Sequence, residues 1–500
     1  MKVSSASIFF PRGGSAHVLR YLTPRLHDLG VRFDLTAGST RAFAGGDAAQ
    51  FYGSLCRHQV NYDSAFAAYE QGLDPMVVEA PIHPSYEDKD GVPDRSFGRV
   101  GPEATRHLES RWATLFREFG FEKADVIHLN HLTPMQSAAT EAAPGIPIVA
   151  TMHGTEIKFW QSLLAAHSDD RPTLDHADFW QQAMSRYANL CDRIVAISSS
   201  DVTTLTDELK VDPSRIRYIP HGVDTVRFHP VELTPDQDES LWTRLLVEDC
   251  AAAEPGSERG TLRYTRPQLA HLSPGRREET VRLMWLGRFL TQKRLDQLLR
   301  VFRRVTQHMS DRVSLVVWGG YPGECEGVHP VELARELGVD DRVYFCGWRG
   351  HDDLAEALPA VDALVVPAVN ESFGLMYLEA MASGVPVLAT RTGGPVDFVV
   401  DDGDSANGWL VPPDDDAALE ARLVEIIGNR AERRRRGANA LRLALDGFSW
   451  HSVAERYRDL FAEVHAGGGR RHASHDARLV PSDVLAEPGV PGVTTQGDPQ

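Results

Sequence analysis

Cysteine is scarce in this chain, and so are lysine, net positive charge and long apolar runs. Only Cys56, Cys191, Cys250, Cys325 and Cys346 occur in 500 residues. They are odd in number, scattered and form no Cys-x-x-Cys pair, which excludes a disulfide scaffold and argues against a structural zinc site. No segment approaches the roughly 18 apolar residues that span a bilayer, so no transmembrane segment is expected. Met1 to Phe10 has no basic region followed by a long apolar run, so no secretory leader is expected and the expected location is cytoplasmic. Lys and Arg number 52 against 70 Asp and Glu, a formal charge of -18. Such a chain has no long-range attraction for nucleic acid or anionic lipid. An anionic ligand has to be held by a local cationic site.

What is present is an ordinary globular composition, 42% hydrophobic, in a length that suits two or three domains at roughly 150 residues each. Strand-like and helix-like segments alternate. Ser5 to Phe10 reads as a buried strand, followed by Pro11-Arg12-Gly13-Gly14-Ser15 and an amphipathic helix from Ala16 to Leu29 that Gly30 ends. Val126 to Leu129, Ile148 to Thr151 and Arg193 to Ile197 continue the pattern. A second series follows at Val281 to Leu286, Val313 to Trp318, Val343 to Cys346, Ala363 to Val366 and Pro386 to Ala389, with a helix from Leu295 to Gln307. This alternation predicts two tandem doubly wound α/β domains, each with a parallel sheet and ligands at the carboxyl ends of the strands. The expected boundaries are 1–230 for the first domain, 231–280 for a linker with an insertion, and 281–447 for the second domain. A returning helix is expected at 448–465 and a disordered, Gly- and Pro-rich tail at 467–500. Residues 161–180 are expected to form a loop.

Two segments of the second half carry chemistry. In Gly287-Arg288-Phe289-Leu290-Thr291-Gln292-Lys293 a strand ends and two cations follow. An arginine fork and a lysine point charge suit phosphate oxygens, although a solvated loop explains either cation alone. In Asn370-Glu371-Ser372-Phe373-Gly374-Leu375-Met376-Tyr377-Leu378-Glu379, Ser372 or Asn370 is expected to cap a helix running to Ala382. The N–H groups of Phe373, Gly374 and Leu375 would then face a ligand. Glu371 and Glu379 can accept hydrogen bonds from hydroxyls at separate points of one extended molecule. Asp402-Gly403-Asp404 and Asp414-Asp415-Asp416 look like acidic metal sites but read as solvated turns.

The set formed by Gly287-Arg288 with Lys293, Glu371-x7-Glu379 and Gly393-Gly394-Pro395 resembles the retaining two-domain GT-B glycosyltransferases, in particular family 4 (glycosyl transferases group 1). The likeness extends over Ser5 to Phe461. It implies a GT-B fold, two Rossmann-like domains facing across a cleft, and a nucleotide-sugar donor. It implies that Arg288 and Lys293 hold the donor diphosphate and that Glu371 contacts the transferred sugar. Glu379 would take the ribose, and the backbone at Phe373, Gly374 and Leu375 would support sugar and diphosphate. Gly14, in the first glycine-rich loop, would lie beneath the diphosphate. His153, in Thr151-Met152-His153-Gly154-Thr155-Glu156, would stand beside the reacting sugar as a catalytic residue with Glu371. Val343 to Arg349 would border the nucleobase, with no base-reading residue identified. Pro220 to Asp224 is read as structural, and Phe448-Ser449-Trp450 as the start of a final helix that crosses back onto the first domain.

The expected activity is retaining transfer of a hexosyl or N-acetylhexosaminyl group, UDP-linked by family frequency, to a small polar acceptor: a cyclitol, a sugar or a secondary metabolite. No metal and no cofactor beyond the nucleotide-sugar is implied. A GT-B epimerase, a phosphorylase and a non-catalytic nucleotide-sugar-binding protein are the alternatives. Residues from Phe43 to Arg106 carry no motif that identifies the acceptor.

Overall fold

The computed structural model describes residues 1–11, 13–43, 45–86, 92–165, 174–272, 280–309, 313–320 and 325–467. The tail expected at 467–500 lies outside the described residues except for Gly467, as do 166–173 of the loop expected at 161–180. Two parallel sheets organise the chain. The first holds β1 (Lys2–Ser7), β2 (Arg32–Ser39), β3 (Cys56–Asn61), β4 (Val126–Asn130), β5 (Ile148–Thr151), β6 (Arg193–Ala196) and β7 (Ile216–Tyr218), in the order β3-β2-β1-β4-β5-β6-β7. The second holds β8 (Val281–Gly287), β9 (Val313–Gly319), β10 (Val343–Gly347), β11 (Ala363–Val365), β12 (Val387–Thr390) and β13 (Gly408–Val411), in the order β10-β9-β8-β11-β12-β13. Strand order reverses beside β1 in one sheet and beside β8 in the other. The crevice at such a reversal, outside the carboxyl ends of the strands, is where this architecture takes ligands.

The first strand departs from the sequence expectation. It covers Lys2–Ser7 rather than Ser5 to Phe10, pairing Val3 with Phe33 and with Val126. Ser4, Ser5 and Ser7 are buried in it, and Ser5 Oγ lies 3.0 Å from His128 Nδ1. The apolar Ile8 and Phe10 are buried beyond its carboxyl end, so hydropathy marked the loop and passed over the strand. The helix Gly14–Asp28 follows, buried along Val18, Leu19, Leu22 and Leu26.

The segment between the sheets is built onto the second one. Its helix Pro235–Thr243 starts with a capping box between Thr234 and Gln237. Asp238 of this helix accepts a bidentate pair from the buried Arg282 of β8 at 2.6 and 2.8 Å. Leu241, Trp242, Leu245 and Leu246 join the core of the second sheet.

The final helix, Trp450–Gly467, returns to the first sheet. Trp450, Val453, Leu460 and Phe461 share a core with Val3, Val18 and Val126. Full burial of each such side chain contributes about 1.5–3 kcal/mol. Tyr457 Oη lies 3.1 Å from Thr151 Oγ1 at the end of β5. Gly222 has no side chain because Trp450 occupies that space, and the Val223 N–H donates to the Phe448 carbonyl at 2.7 Å. Among the described residues, no helix is long and apolar enough to cross a membrane.

Candidate functional site

The loops at the two reversal points meet. After β8, Gly287 leads through Arg288 and Phe289 to the short turn Thr291–Lys293, and Trp285 Nε1 donates to the Lys293 carbonyl at 3.3 Å. Lys293 Nζ then stands 2.5 Å from Glu371 Oε2, at the end of the neighbouring β11. Burial raises the Glu371 pKa, but Lys293, Lys158 and the Phe373 N–H more than offset it, so the group is held below its usual range and ionised. Arg288 is exposed at the same strand end. The adjacent Arg294 is committed elsewhere: its guanidinium donates to both Asp414 oxygens, at 2.6 and 3.1 Å.

The cap of the helix after Glu371 is not Ser372 or Asn370. The helix runs from Leu375 to Ala382, and Gly374 precedes it with a φ of 92°, a left-handed conformation that favours glycine. The Phe373 N–H is turned toward the Glu371 carboxylate, whereas the N–H groups of Gly374 and Leu375 open the helix and have no intrahelical partner. Gly393 and Gly394 lie directly behind this turn. A Cβ on Gly393 would strike the Glu371 carbonyl and one on Gly394 would strike Phe373 Cα, which is the physical reason for glycine at both positions. Glu379, one turn into the helix, is 3.3 Å from His351 Nε2 and raises the pKa of that histidine. His351 in turn touches His17, their ring centroids 5.2 Å apart, one turn into the helix that begins at Gly14. Gly13 and Gly14 have open space where a side chain would stand.

From the first sheet, the loop after β5 brings His153 and Gly154. His153 Nε2 is 3.1 Å from Asn130 Oδ1. The Asn130 amide nitrogen donates to the Ala6 carbonyl at 3.1 Å, so its oxygen is the acceptor and His153 carries its proton on Nε2. Burial, with His131, His221 and His128 nearby, holds the His153 pKa well below its ordinary value, and the ring is neutral. Its Nδ1 is a buried acceptor with no protein partner. Gly154 has a φ of 83° and lies against Ser372, so that any side chain at 154 would collide with Ser372 Cβ. The Ser199 N–H and hydroxyl donate to Asp397 at 2.7 and 2.5 Å, and His221 packs edge-on against Phe373 at 5.2 Å. Those contacts fasten one sheet's loops to the other's.

Residues 12–227 match Glycosyltransferase Family 4, and residues 271–442 match Glycosyl transferases group 1. The chain belongs to this glycosyltransferase family. Within it, a D-inositol 3-phosphate glycosyltransferase of Salinispora arenicola is 30% identical over 330 residues, 65% of this chain and 65% of that one. For its counterpart in Salinispora tropica the matched share of the relative is 60%, so the match spans less than two thirds of these relatives' length. An MMP alpha-(1->4)-mannosyltransferase of Mycolicibacterium hassiacum is 26% identical over 80% of this chain and 90% of its own. The fold is that of sucrose-phosphate synthase from Thermosynechococcus elongatus, with a TM-score of 0.61, 18% identity and coverage of 93% and 99%. Anabaena HepE in complex with UDP-glucose aligns with a TM-score of 0.58 at 18% identity, over 93% and 100%.

Several residues at the junction between the two sheets' loops carry no sequence signal. His131, just past β4, has a φ of 69°, and its Nδ1 is 2.7 Å from Glu156 Oε1. Glu156 is fully buried, and its other oxygen accepts the His153 N–H at 3.1 Å. The His131 and His153 rings are 4.5 Å apart. His221, read from sequence as part of a structural segment, stacks on His153 with centroids 5.4 Å apart, and burial lowers its pKa to about 3. The rule that singled out His153, position at a strand's carboxyl end, applies equally to Asn130 and His131 after β4. The acidic runs have structural partners: Asp415 caps the helix Asp416–Gly428, Asp416 accepts from Gln297 and Arg304, and the backbone of Gly403 and Asp404 accepts from Arg435.

Proposed function

We propose that this chain is a retaining glycosyltransferase. It moves a hexosyl or N-acetylhexosaminyl group from a nucleoside diphosphate sugar to a hydroxyl of a small polar acceptor, a cyclitol first among them. The observation that carries the reading is the Lys293–Glu371 pair at the β8/β11 reversal, with neutral His153 on the opposing loop. As the bond from the anomeric carbon to the diphosphate breaks, negative charge grows on the leaving oxygen. Arg288, Lys293 and the N–H groups of Gly374 and Leu375 neutralise it, so the reading needs no metal ion. The sugar ring gains positive character, which the ionised Glu371 tolerates. Glu371 positions sugar hydroxyls and is not the nucleophile, because Lys293 holds the carboxylate. His153 Nδ1 accepts a hydrogen bond from a further sugar hydroxyl. Glu379 takes the ribose, and Gly14 lets the opening of its helix approach the diphosphate. The acceptor hydroxyl enters on the face the leaving group vacates, the donor phosphate takes its proton, and configuration is retained.

The named activities of the relatives support a cyclitol phosphate or a sugar as acceptor, and the UDP-glucose complex of a protein with this fold supports a UDP-linked donor. Incubation of labelled nucleotide sugars with and without D-inositol 3-phosphate and free sugars tests the proposal, with product anomers read by NMR. The expected result is an acceptor-dependent α-linked product from an α-linked donor. Epimerised donor without acceptor, phosphate-dependent cleavage, or binding without turnover would replace it with an epimerase, a phosphorylase or a binding protein respectively.

A further inference from the structure

Beyond the carboxyl ends of β8, β9 and β10 lies a pocket of about 270 Å³. On one side it is lined by Phe289, Gly320, His329 and Phe345. Phe289 follows Arg288 directly, so the pocket opens beside the diphosphate cations. The other side does not come from the second sheet. It is made by Ala253, Gly256 and Ser257 of the segment that joins the two sheets.

That segment is fixed in place by four independent contacts. The Phe345 N–H, on the edge strand β10, donates to Tyr264 Oη at 2.9 Å. The buried Arg349 guanidinium donates to the Leu245 carbonyl at 2.6 Å, to Asp249 Oδ2 at 2.9 Å and to the Cys346 carbonyl at 3.0 Å. Gly347, with a φ of 72°, leaves its side-chain space to the Ala251–Ala252 backbone. Arg335 grips both Glu254 oxygens at 2.9 and 2.7 Å. Inside the segment, the Gly260 and Leu262 N–H groups both donate to the Ala252 carbonyl, at 2.9 and 3.2 Å.

The pocket's chemistry suits a flat, uncharged ring. Phe289 and Phe345 give it aromatic walls, and small residues give it the opposite face. Its histidine is neutral, because burial lowers the His329 pKa, and among the described lining residues the one carboxylate, Glu254, is neutralised by Arg335. Among the described lining residues phosphate would find no cation, whereas a heteroaromatic ring finds stacking surface and peptide edges. We infer that the stretch 252–257 forms one wall of the nucleobase pocket and so sets which nucleotide the donor carries. This rests on the nucleotide-sugar reading given above.

The test is calorimetric titration of the full chain with UDP, GDP and ADP, for the wild type and for Ala253→Trp and Ser257→Trp. Ser257 is exposed and Ala253 partly so, so both indoles fill the pocket without entering the core, and an unchanged melting temperature verifies the fold. The expected result is a preferred nucleotide for the wild type and at least a tenfold loss of its affinity in both variants. Variants that bind that nucleotide as the wild type does overturn this inference alone. A wild-type chain that binds none of the three overturns the nucleotide-sugar reading, and this inference with it.

Discussion

The two sheets share one strand order around the reversal point, yet the loops they bring together are of opposite character. The second sheet contributes charge: Arg288, Lys293, Glu371 and Glu379 in two loops and one short helix. The first contributes buried imidazoles: His153 and His221 are stacked and held neutral by burial, and His131 tilts against His153 and pairs with Glu156. One half presents charged side chains and the other packed rings. The division is physically economical. Charges in a buried site act strongly, and the neutral His153 and His221 add no competing charge.

If that division is right, damage to the charged half weighs most. Lys293→Ala should lower kcat by about 10²–10³-fold, the usual consequence of removing one preorganised electrostatic contact to a leaving group. It should also raise the Glu371 pKa, visible as a rise in the acid limb of the kcat/KM profile. Activity unchanged from the wild type would remove the donor site from this strand end.

The seam between the halves comes next. Gly154→Val should cost about 10²-fold in kcat/KM, because the side chain strikes Ser372 and displaces the loops by about 1 Å. Ser372→Gly in the same chain should restore part of the loss, since it removes the atom struck while the unfavourable φ remains. A double variant no better than the single one would show that the contact is not what closes the cleft.

Damage to the neutral half should be milder. Asn130→Leu removes the acceptor that fixes the His153 tautomer, with an expected loss of about tenfold in kcat, the worth of one hydrogen bond. A shift of the His153 ring nitrogen signals in NMR should accompany it. A loss as large as that of Lys293→Ala would break the comparison.

The smallest effect concerns pH. Burial lifts Asp201, at the seam, from 3.8 to about 7. The unfolded chain releases this proton at the lower value and the folded chain only at the higher one, so the group costs stability progressively as pH rises across that window. Asp201→Asn should therefore gain stability relative to the wild type between about pH 5 and about pH 8, on the order of 1 kcal/mol. Parallel unfolding curves at both pH values would exclude it.

The same asymmetry governed what could be read from sequence. The charged half is legible because its residues stand at fixed separations along a short stretch, and cations after a strand have a direct chemical reading. Family membership and the alternating α/β pattern were legible for similar reasons. The neutral half is assembled from β4, β5 and the loop before Val223, and no spacing along the chain announces Asn130, His131 and Glu156 as neighbours. β1 is hard to place from hydropathy because Ser4, Ser5 and Ser7 are buried in it without adding apolar character; Ser5 pairs with His128. β2 and β3 are not legible from hydropathy because Arg32, Asp34, Arg57 and His58 line an open cavity and interrupt the apolar pattern. The sequence offers side-chain caps for the helix after Glu371, whereas the turn needs a left-handed residue that Gly374 supplies without strain.

The return of Trp450–Gly467 to the first sheet bears on how the chain is made. Val3 and Val18 leave the ribosome well before Trp450, Val453, Leu460 and Phe461, which complete the core they join. Until that helix is made, this apolar face of the first sheet has no cover. The first sheet is therefore sealed only when the closing helix emerges. Premature termination anywhere before residue 450 would leave it unsealed permanently.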